Sequence, residues 1–262
     1  MINRSSCFII PFIVLYVLLS SGCSASESKE NEEAEITVAA ASSLSPAFTE
    51  LGPLFEEESG TAITFSFGST GQLTEQIENG APFDVFASAD IAAVDQLREN
   101  ELIVPDTQTT YAFGRIGLST LPETTETVET LEDLLKPEVK KIAIANPDHA
   151  PYGKASKQAL ENEGLWEELE EKIIYGRNIT DTLSFIETGN AEAGIIALSL
   201  YDEEELNFHM IDEDLHAPLE KSIAVIEDTS EEEAAKAFID FIQGPTARPI
   251  MESHGFTVPE GD

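Results

Sequence analysis

From Glu35 onward the chain alternates short apolar runs with longer stretches whose apolar residues recur every three or four positions. Ile36–Ala41 (ITVAAA) reads as a buried strand. Pro46–Glu58 sets Phe48, Leu51, Leu54 and Phe55 at helical spacing and stops just before Gly60. Ile63–Phe67 alternates like a strand, Gly71–Asn79 predicts a helix, Val85–Ala87 a strand and Ala92–Asn100 another helix. A second series of the same kind starts near Thr110. Its strand-like segments are Tyr111–Leu118, Lys141–Ala145, Glu192–Ala197 and Ile223–Ile226, and its helical ones Leu131–Leu135, Lys154–Glu163, Asp181–Thr188 and Glu231–Gln243. This βαβα rhythm predicts an α/β fold of doubly wound, largely parallel sheets with helices on both faces. No fixed-period repeat and no Pro/Gly/Ser-rich linker divides the series. Two α/β lobes sharing one chain, with the C-terminus returning to the first lobe, fit this better than two independent domains. Ligands of such folds sit at the carboxyl ends of strands, where helix N-termini converge.

The first residues follow another pattern. Met1–Arg4 carries one positive charge, and Phe8–Leu19 is an apolar run of about a dozen residues, the length of a signal-peptide core and short for a membrane span. Ser20-Ser21-Gly22-Cys23 resembles the lipobox of bacterial lipoproteins, although Ser20 stands where that box carries Leu, Val or Ile. Residues 1–23 are thus expected to be a signal peptide that places the protein on the outer face of the cell membrane, with Cys23 lipidated. A cleaved secretory signal with an incidental cysteine is the alternative, leaving the protein secreted or periplasmic. Cys7 lies in the segment that would be removed, so neither a disulfide framework nor a cysteine zinc site is expected. Residues 24–35 (SASESKENEEAE) read as a disordered acidic tether.

The charge is unusual. Of 14 Lys and Arg only Arg4 falls in the first 23 residues, which hold no acid, so 13 basic side chains face 50 acidic ones in the remainder. Such a chain repels nucleic acid and anionic lipid surfaces. Glu203-Glu204-Glu205 and Glu231-Glu232-Glu233 are read as solvated faces, and a saline habitat would screen the self-repulsion.

Four segments share one design, in which small or hydroxyl residues follow a strand or loop and open a helix. They are Ala41–Pro46, Gly68–Leu73, Asn146–Gly153 and Arg177–Asp181. Ser45 is a plausible N-cap with Pro46 at the first helical position. A helix N-terminus offers unpaired N–H groups and a partial positive charge, so it holds anions without a basic side chain. Ser, Thr and Tyr hydroxyls add donors. A strongly acidic protein can therefore bind an anion in a site built of donors alone.

These segments also carry a family resemblance. ITVAAASSL, FGSTGQLTEQIENGAPFDVFASAD, IAIANPDHAPYGKASKQAL, NAEAGIIALS and HGFTVP together resemble the periplasmic molybdate-binding proteins of ABC transporters, in order from about Ile36 to Pro259. The resemblance implies a type II periplasmic-binding fold: two lobes, a two-stranded hinge and an oxyanion held in the cleft between them. It puts residues 36–112 plus about 224–262 in lobe 1 and 113–223 in lobe 2. It implies capture of molybdate or tungstate for delivery to the permease subunits of an ABC importer, by a monomer that is not an enzyme and needs no cofactor. Molybdenum or tungsten would be held only as oxyanion, not as a metal cation. Carried over by position, the ligand set is Ser43 with Ser42 beside it, Thr70 with Ser69 beside it, Tyr152, and the backbone donor at Ile179. One branch of the family carries a tyrosine after the Gly-Ile-Val-like strand; this chain has Ala197 there and Tyr152 instead.

Plainer readings compete. Tyr152 could merely pack its ring, Ile179 has the side chain of a core residue, and Ser42 could face a sheet. Another tetrahedral oxyanion (sulfate, thiosulfate or phosphate) is an open alternative. Phosphate in particular would want a buried acceptor for its proton, and Asp148 and Asp181 are candidates. An exported hydrolase using His149, His209, His216 or His254 is a further class. However, the chain has no Gly-x-Ser-x-Gly elbow, no His-Glu-x-x-His pair and no Asp-x-Asp-x-Asp-Gly calcium loop.

Overall fold

The computed structural model describes residues 34–124 and 128–259. The predicted signal peptide, Cys23 and nearly all of the predicted tether lie outside the described residues.

The chain opens with β1 (Glu35–Ala41), α1 (Ser45–Ser59), β2 (Ala62–Gly68), α2 (Thr70–Glu78), β3 (Val85–Ala87), α3 (Ile91–Glu99) and β4 (Thr109–Gly114). A second group follows: β5 (Ile116–Thr120), β6 (Ile142–Ala145), α4 (Pro151–Asn162), the short α5 (Trp166–Leu169), β7 (Ile173–Gly176), α6 (Ile179–Glu187), β8 (Ala193–Ala197) and β9 (Asn207–Met210). The chain then returns with β10 (Leu219–Val225), α7 (Glu232–Gln243) and α8 (Ala247–Ser253). Two α/β lobes result, each around a five-stranded sheet, ordered β2-β1-β3-β10-β4 in one and β7-β6-β8-β5-β9 in the other.

The two sheets have the same construction. In each, three strands run parallel in the order second, first, third, and an antiparallel pair completes the sheet. The parallel part follows from right-handed βαβ crossovers. The antiparallel part departs from the largely parallel expectation, because each lobe gains a strand from a chain crossing between lobes. The run Tyr111–Leu118, read as one strand, is two: the chain leaves the first sheet at Gly114, passes through Arg115 and enters the second at Ile116. Strands β7 and β9 and helix α8 escaped periodicity because they are four to seven residues long. Leu131–Leu135 is a 3₁₀ turn, closed by a Thr130–Asp133 capping box.

Burial explains the central strands. Ile36, Val38 and Ala40 on one face of β1 and Ala39 on the other are all inaccessible, so the run is apolar without alternation. Phe48 and Phe55 of α1 meet Phe238 of α7 with ring centroids 5.7 and 5.2 Å apart, edge to face, which ties the returning C-terminal helix to the first lobe.

Candidate functional site

Each parallel strand triplet delivers two helix starts to the same place. In the first lobe, β1 ends at Ala41 and enters a 3₁₀ turn, Ser42–Leu44, that runs straight into α1. Ser45 is therefore the first residue of α1 and not its cap, because the turn extends the helical path back to Ser42. β2 ends at Gly68, and Ser69 caps α2 with its Oγ facing the Gln72 amide at 3.5 Å. In the second lobe, β6 leads through residues 146–150 to Pro151 at the start of α4. A side chain at Gly153 would collide with the Ala145 carbonyl, so only glycine lets α4 seat against the end of β6. β7 ends at Gly176, and Asn178 caps α6, its Oδ1 accepting from the Asp181 amide at 2.9 Å.

By this shared topology Ser42 and Ser43 correspond to Tyr152, and Ser69 and Thr70 to Ile179. All six line a single cavity, together with Ala41, Gly68, Ala89, Ala150 and Pro151. The cavity is small. None of the lining residues is charged. Asp148 and Asp181, the acceptors that a phosphate reading would need, do not line it. Asp181 is instead bound to Arg177, whose side chain holds its carboxyl below the usual range.

The orientation of hydroxyl protons can be worked out from the partners behind them. Thr70 Oγ1 accepts from the Ala89 amide at 3.1 Å, and Ser43 Oγ accepts from Lys221 Nζ at 2.9 Å. An oxygen whose lone pair is engaged by an N–H keeps its own proton free to donate. Ile179, as the first residue of α6, has an N–H with no acceptor inside the helix. The Tyr152 hydroxyl is buried and completes no well-formed hydrogen bond among the described residues; burial pushes the phenol well above its ordinary range, partly offset by the Ser43 and Ser199 hydroxyls that stand against it. Its oxygen lies so close to Gly114 that any side chain there would displace it.

Bonds across the lobes close the cavity. The Gly71 amide donates to the His149 carbonyl at 2.8 Å, and Ser69 Oγ pairs with His149 Nδ1 at 2.8 Å. Thr180 Oγ1 donates to the Ser42 carbonyl at 3.2 Å and Ser199 Oγ to the Ser43 carbonyl at 2.7 Å.

Ser69 and His149 stand at the distance of a nucleophile and its base, yet among the described residues no carboxylate bonds the other ring nitrogen. His216 bonds the Ala217 carbonyl and His254 bonds Glu50, so the other histidines with partners are engaged elsewhere. Among the described residues no cluster of three His, Cys, Asp or Glu could hold a metal cation.

Sequence reasoning missed Lys221, which is fully buried behind Ser43. The strand read as Ile223–Ile226 begins four residues earlier, at Leu219. The available signal was position: Lys221 stands two residues before Ile223, on the strand face that also carries Leu219, Ile223 and Val225 into the core.

The family model described as bacterial extracellular solute-binding protein matches residues 36–257. The molybdate-binding protein ModA of Rhodobacter capsulatus is 34% identical over 223 residues, covering 85% of this chain and 88% of that protein. A putative ABC transporter substrate-binding lipoprotein of Bacillus subtilis, YvgL, is 30% identical over 249 residues, covering 92% and 94%. The solved periplasmic molybdate-binding protein of Azotobacter vinelandii superposes with a TM-score of 0.80 at 27% identity, covering 86% of this chain and all of that one. The sulfate-binding protein SubI of Mycobacterium tuberculosis, at 14% identity and a TM-score of 0.74, shares the fold.

Proposed function

The chain belongs to the bacterial extracellular solute-binding proteins, and from that premise we propose that it captures molybdate or tungstate and delivers the dianion to an ABC importer. The observation that carries this reading is the convergence of four helix starts from two lobes on one uncharged, donor-lined cavity.

The ligand set proposed is Ser42, Ser43, Ser69, Thr70, Tyr152 and the Ile179 amide. Each donor faces a dianion that offers only acceptors. Helix ends contribute fixed dipoles that need no reorganisation, and hydrogen bonds to a charged group contribute about 1.5–3 kcal/mol each before losses. Six of them support micromolar or tighter capture. A proton-bearing anion such as monohydrogen phosphate would place its O–H against donors with no acceptor to meet it, and this favours fully ionised guests. No bond is made or broken in this reading.

The lobes proposed are residues 36–112 with 224–262, and 113–223. Strand membership supports them to within a few residues, since the first sheet also holds Phe113, Gly114 and Leu219–Ile223. Closure about the two crossings would bring the four interlobe hydrogen bonds together and present a docking face to the permease. Family membership makes this an exported protein. Attachment through a lipid on Cys23, and a monomeric state, are proposed with it; a Cys23→Ser variant should be released from membranes, and light scattering should give the mass of one chain.

Calorimetric titration with molybdate, tungstate, sulfate and phosphate tests the central reading. Micromolar or tighter binding of the first two is expected, with sulfate weaker and phosphate weakest. Preference for phosphate, or binding of none of the four, would reject it.

A further inference from the structure

Resting on the reading of the cavity as a dianion site, we infer that Lys221 is a positioning residue for the guest and that it takes up a proton when the anion binds. Lys221 lies in β10 with no exposed surface, and its Nζ donates to Ser43 Oγ at 2.9 Å. The same nitrogen stands 5.0 Å from the ring centroid of Tyr152 and 5.0 Å from that of Phe256. Ser43 and Tyr152 both line the cavity, so the amine sits one hydroxyl behind the guest.

The groups packed around Lys221 supply no counter-charge. Ser43 reaches it from the turn after β1, Tyr152 from α4 and Phe256 from beyond α8, and none of these is a carboxylate. Tyr111 of β4 is a further buried titratable group; burial raises its phenol, with the Tyr152 phenol adding to the effect, so both stay neutral. Glu220, the neighbour in β10, falls on the opposite face of the strand and accepts from Thr110 Oγ1 at 2.7 Å. Among the described residues no ion pair to Lys221 is formed, and desolvation alone lowers its pKa to about 7. His149 does not line the cavity; it stands behind Ser69, with its Nδ1 2.8 Å from Ser69 Oγ.

Protonation of this amine changes what Ser43 can do. A neutral amine has a lone pair that can take the Ser43 proton, whereas an ammonium has donors only. Once charged, Lys221 obliges Ser43 Oγ to accept, and the serine proton turns to the cavity. A dianion arriving there supplies the missing counter-charge and an acceptor for that proton. Binding and protonation therefore favour each other, and each must strengthen the other equally.

Two properties follow for molybdate, which carries no proton between pH 7 and 9. Its affinity should be flat below about pH 7 and then fall by up to tenfold per pH unit as pH rises. Calorimetry in buffers of different ionisation enthalpy should find proton uptake near zero at pH 6 and approaching one proton per molybdate near pH 8. Lys221→Met should abolish the uptake and weaken binding tenfold or more at pH 7, with the two proteins converging near pH 9.5. His149→Gln should keep the uptake, and a variant that lost it would move the proton to His149 and overturn the inference. Should the methionine variant not fold, uptake by the unaltered protein decides alone. Tight molybdate binding without proton uptake at pH 8 would overturn the role of Lys221 and leave the oxyanion reading standing. No binding of molybdate or tungstate at any pH would remove both.

Discussion

The Gly71 amide donates to the carbonyl of His149 at 2.8 Å, joining the first turn of α2 in one lobe to the loop ahead of α4 in the other. A Cβ on Gly71 would stand 2.8 Å from that carbonyl oxygen and 2.9 Å from the His149 Cβ, closer than packed atoms allow. Since backbone lies on both sides, relief requires the lobes to part. Gly71→Ala is therefore expected to weaken molybdate affinity tenfold or more and to leave a larger radius of gyration with ligand present. Calorimetry and small-angle scattering check this; wild-type values for both would detach closure from this contact.

Tyr152 offers a buried hydroxyl that completes no well-formed hydrogen bond among the described residues. Removing it in Tyr152→Phe deletes one donor to charge, which should weaken capture by about tenfold or more while costing the fold little. Gly114→Ala should do the same indirectly by displacing that oxygen, but with a lower melting temperature as well. If both variants bind as tightly as the parent, the phenol does not touch the guest.

Lys221 also sets a pH dependence of stability in the ligand-free protein. Its folded pKa of about 7 lies below the ordinary lysine value of 10.5, so between those values the unfolded chain binds the extra proton. Stability from this group is lowest below pH 7 and rises as pH increases toward 10. Lys221→Met should raise the ligand-free melting temperature at pH 7 and flatten its rise between pH 7 and 9.5. Thermal unfolding of both proteins across that range is the measurement, and parallel curves would contradict the assignment.

Asn178 caps α6 through the Asp181 amide at 2.9 Å and so fixes the backbone at Ile179, the proposed amide donor. Asn178→Ala should cost about 1 kcal/mol of stability, as N-cap losses do, and weaken affinity beyond what a remote substitution of equal cost does. Chemical denaturation paired with calorimetry separates the two effects.

The formal charge of −36 repels an approaching dianion even though the residues lining the cavity are uncharged. Salt screens that long-range repulsion, with a screening length of about 10 Å at 0.1 M, but hardly reaches the enclosed contacts. Association should accelerate severalfold between 10 and 150 mM salt of a non-competing anion, with dissociation nearly unchanged. Stopped-flow kinetics would show the reverse trend if a positive entrance steered the ligand.

Most helices and central strands were legible because their signals are local. The spacing of Phe48, Leu51, Leu54 and Phe55 is set by one helix, and the ITVAAA run by one strand buried on both faces. Gly153 and Pro151 marked the start of α4 by what backbone geometry permits. The break at Arg115 was not legible: strand-like residues continue on either side, and only the two sheets, each taking one half, separate them.

The sequence by itself determined the α/β class, two lobes on one chain and the four helix-opening segments, since strand ends and helix starts advertise themselves in residue types a few positions apart; the family resemblance then singled out the six residues of those segments that line the cavity. Tertiary structure decided everything that depends on what stands behind a group. It set the Ala89 amide behind Thr70, Lys221 behind Ser43 at a separation of 178 residues, and His149 against Gly71 across the cleft. Proton direction and charge state are properties of surroundings, and the surroundings of a buried hydroxyl come from distant parts of the chain.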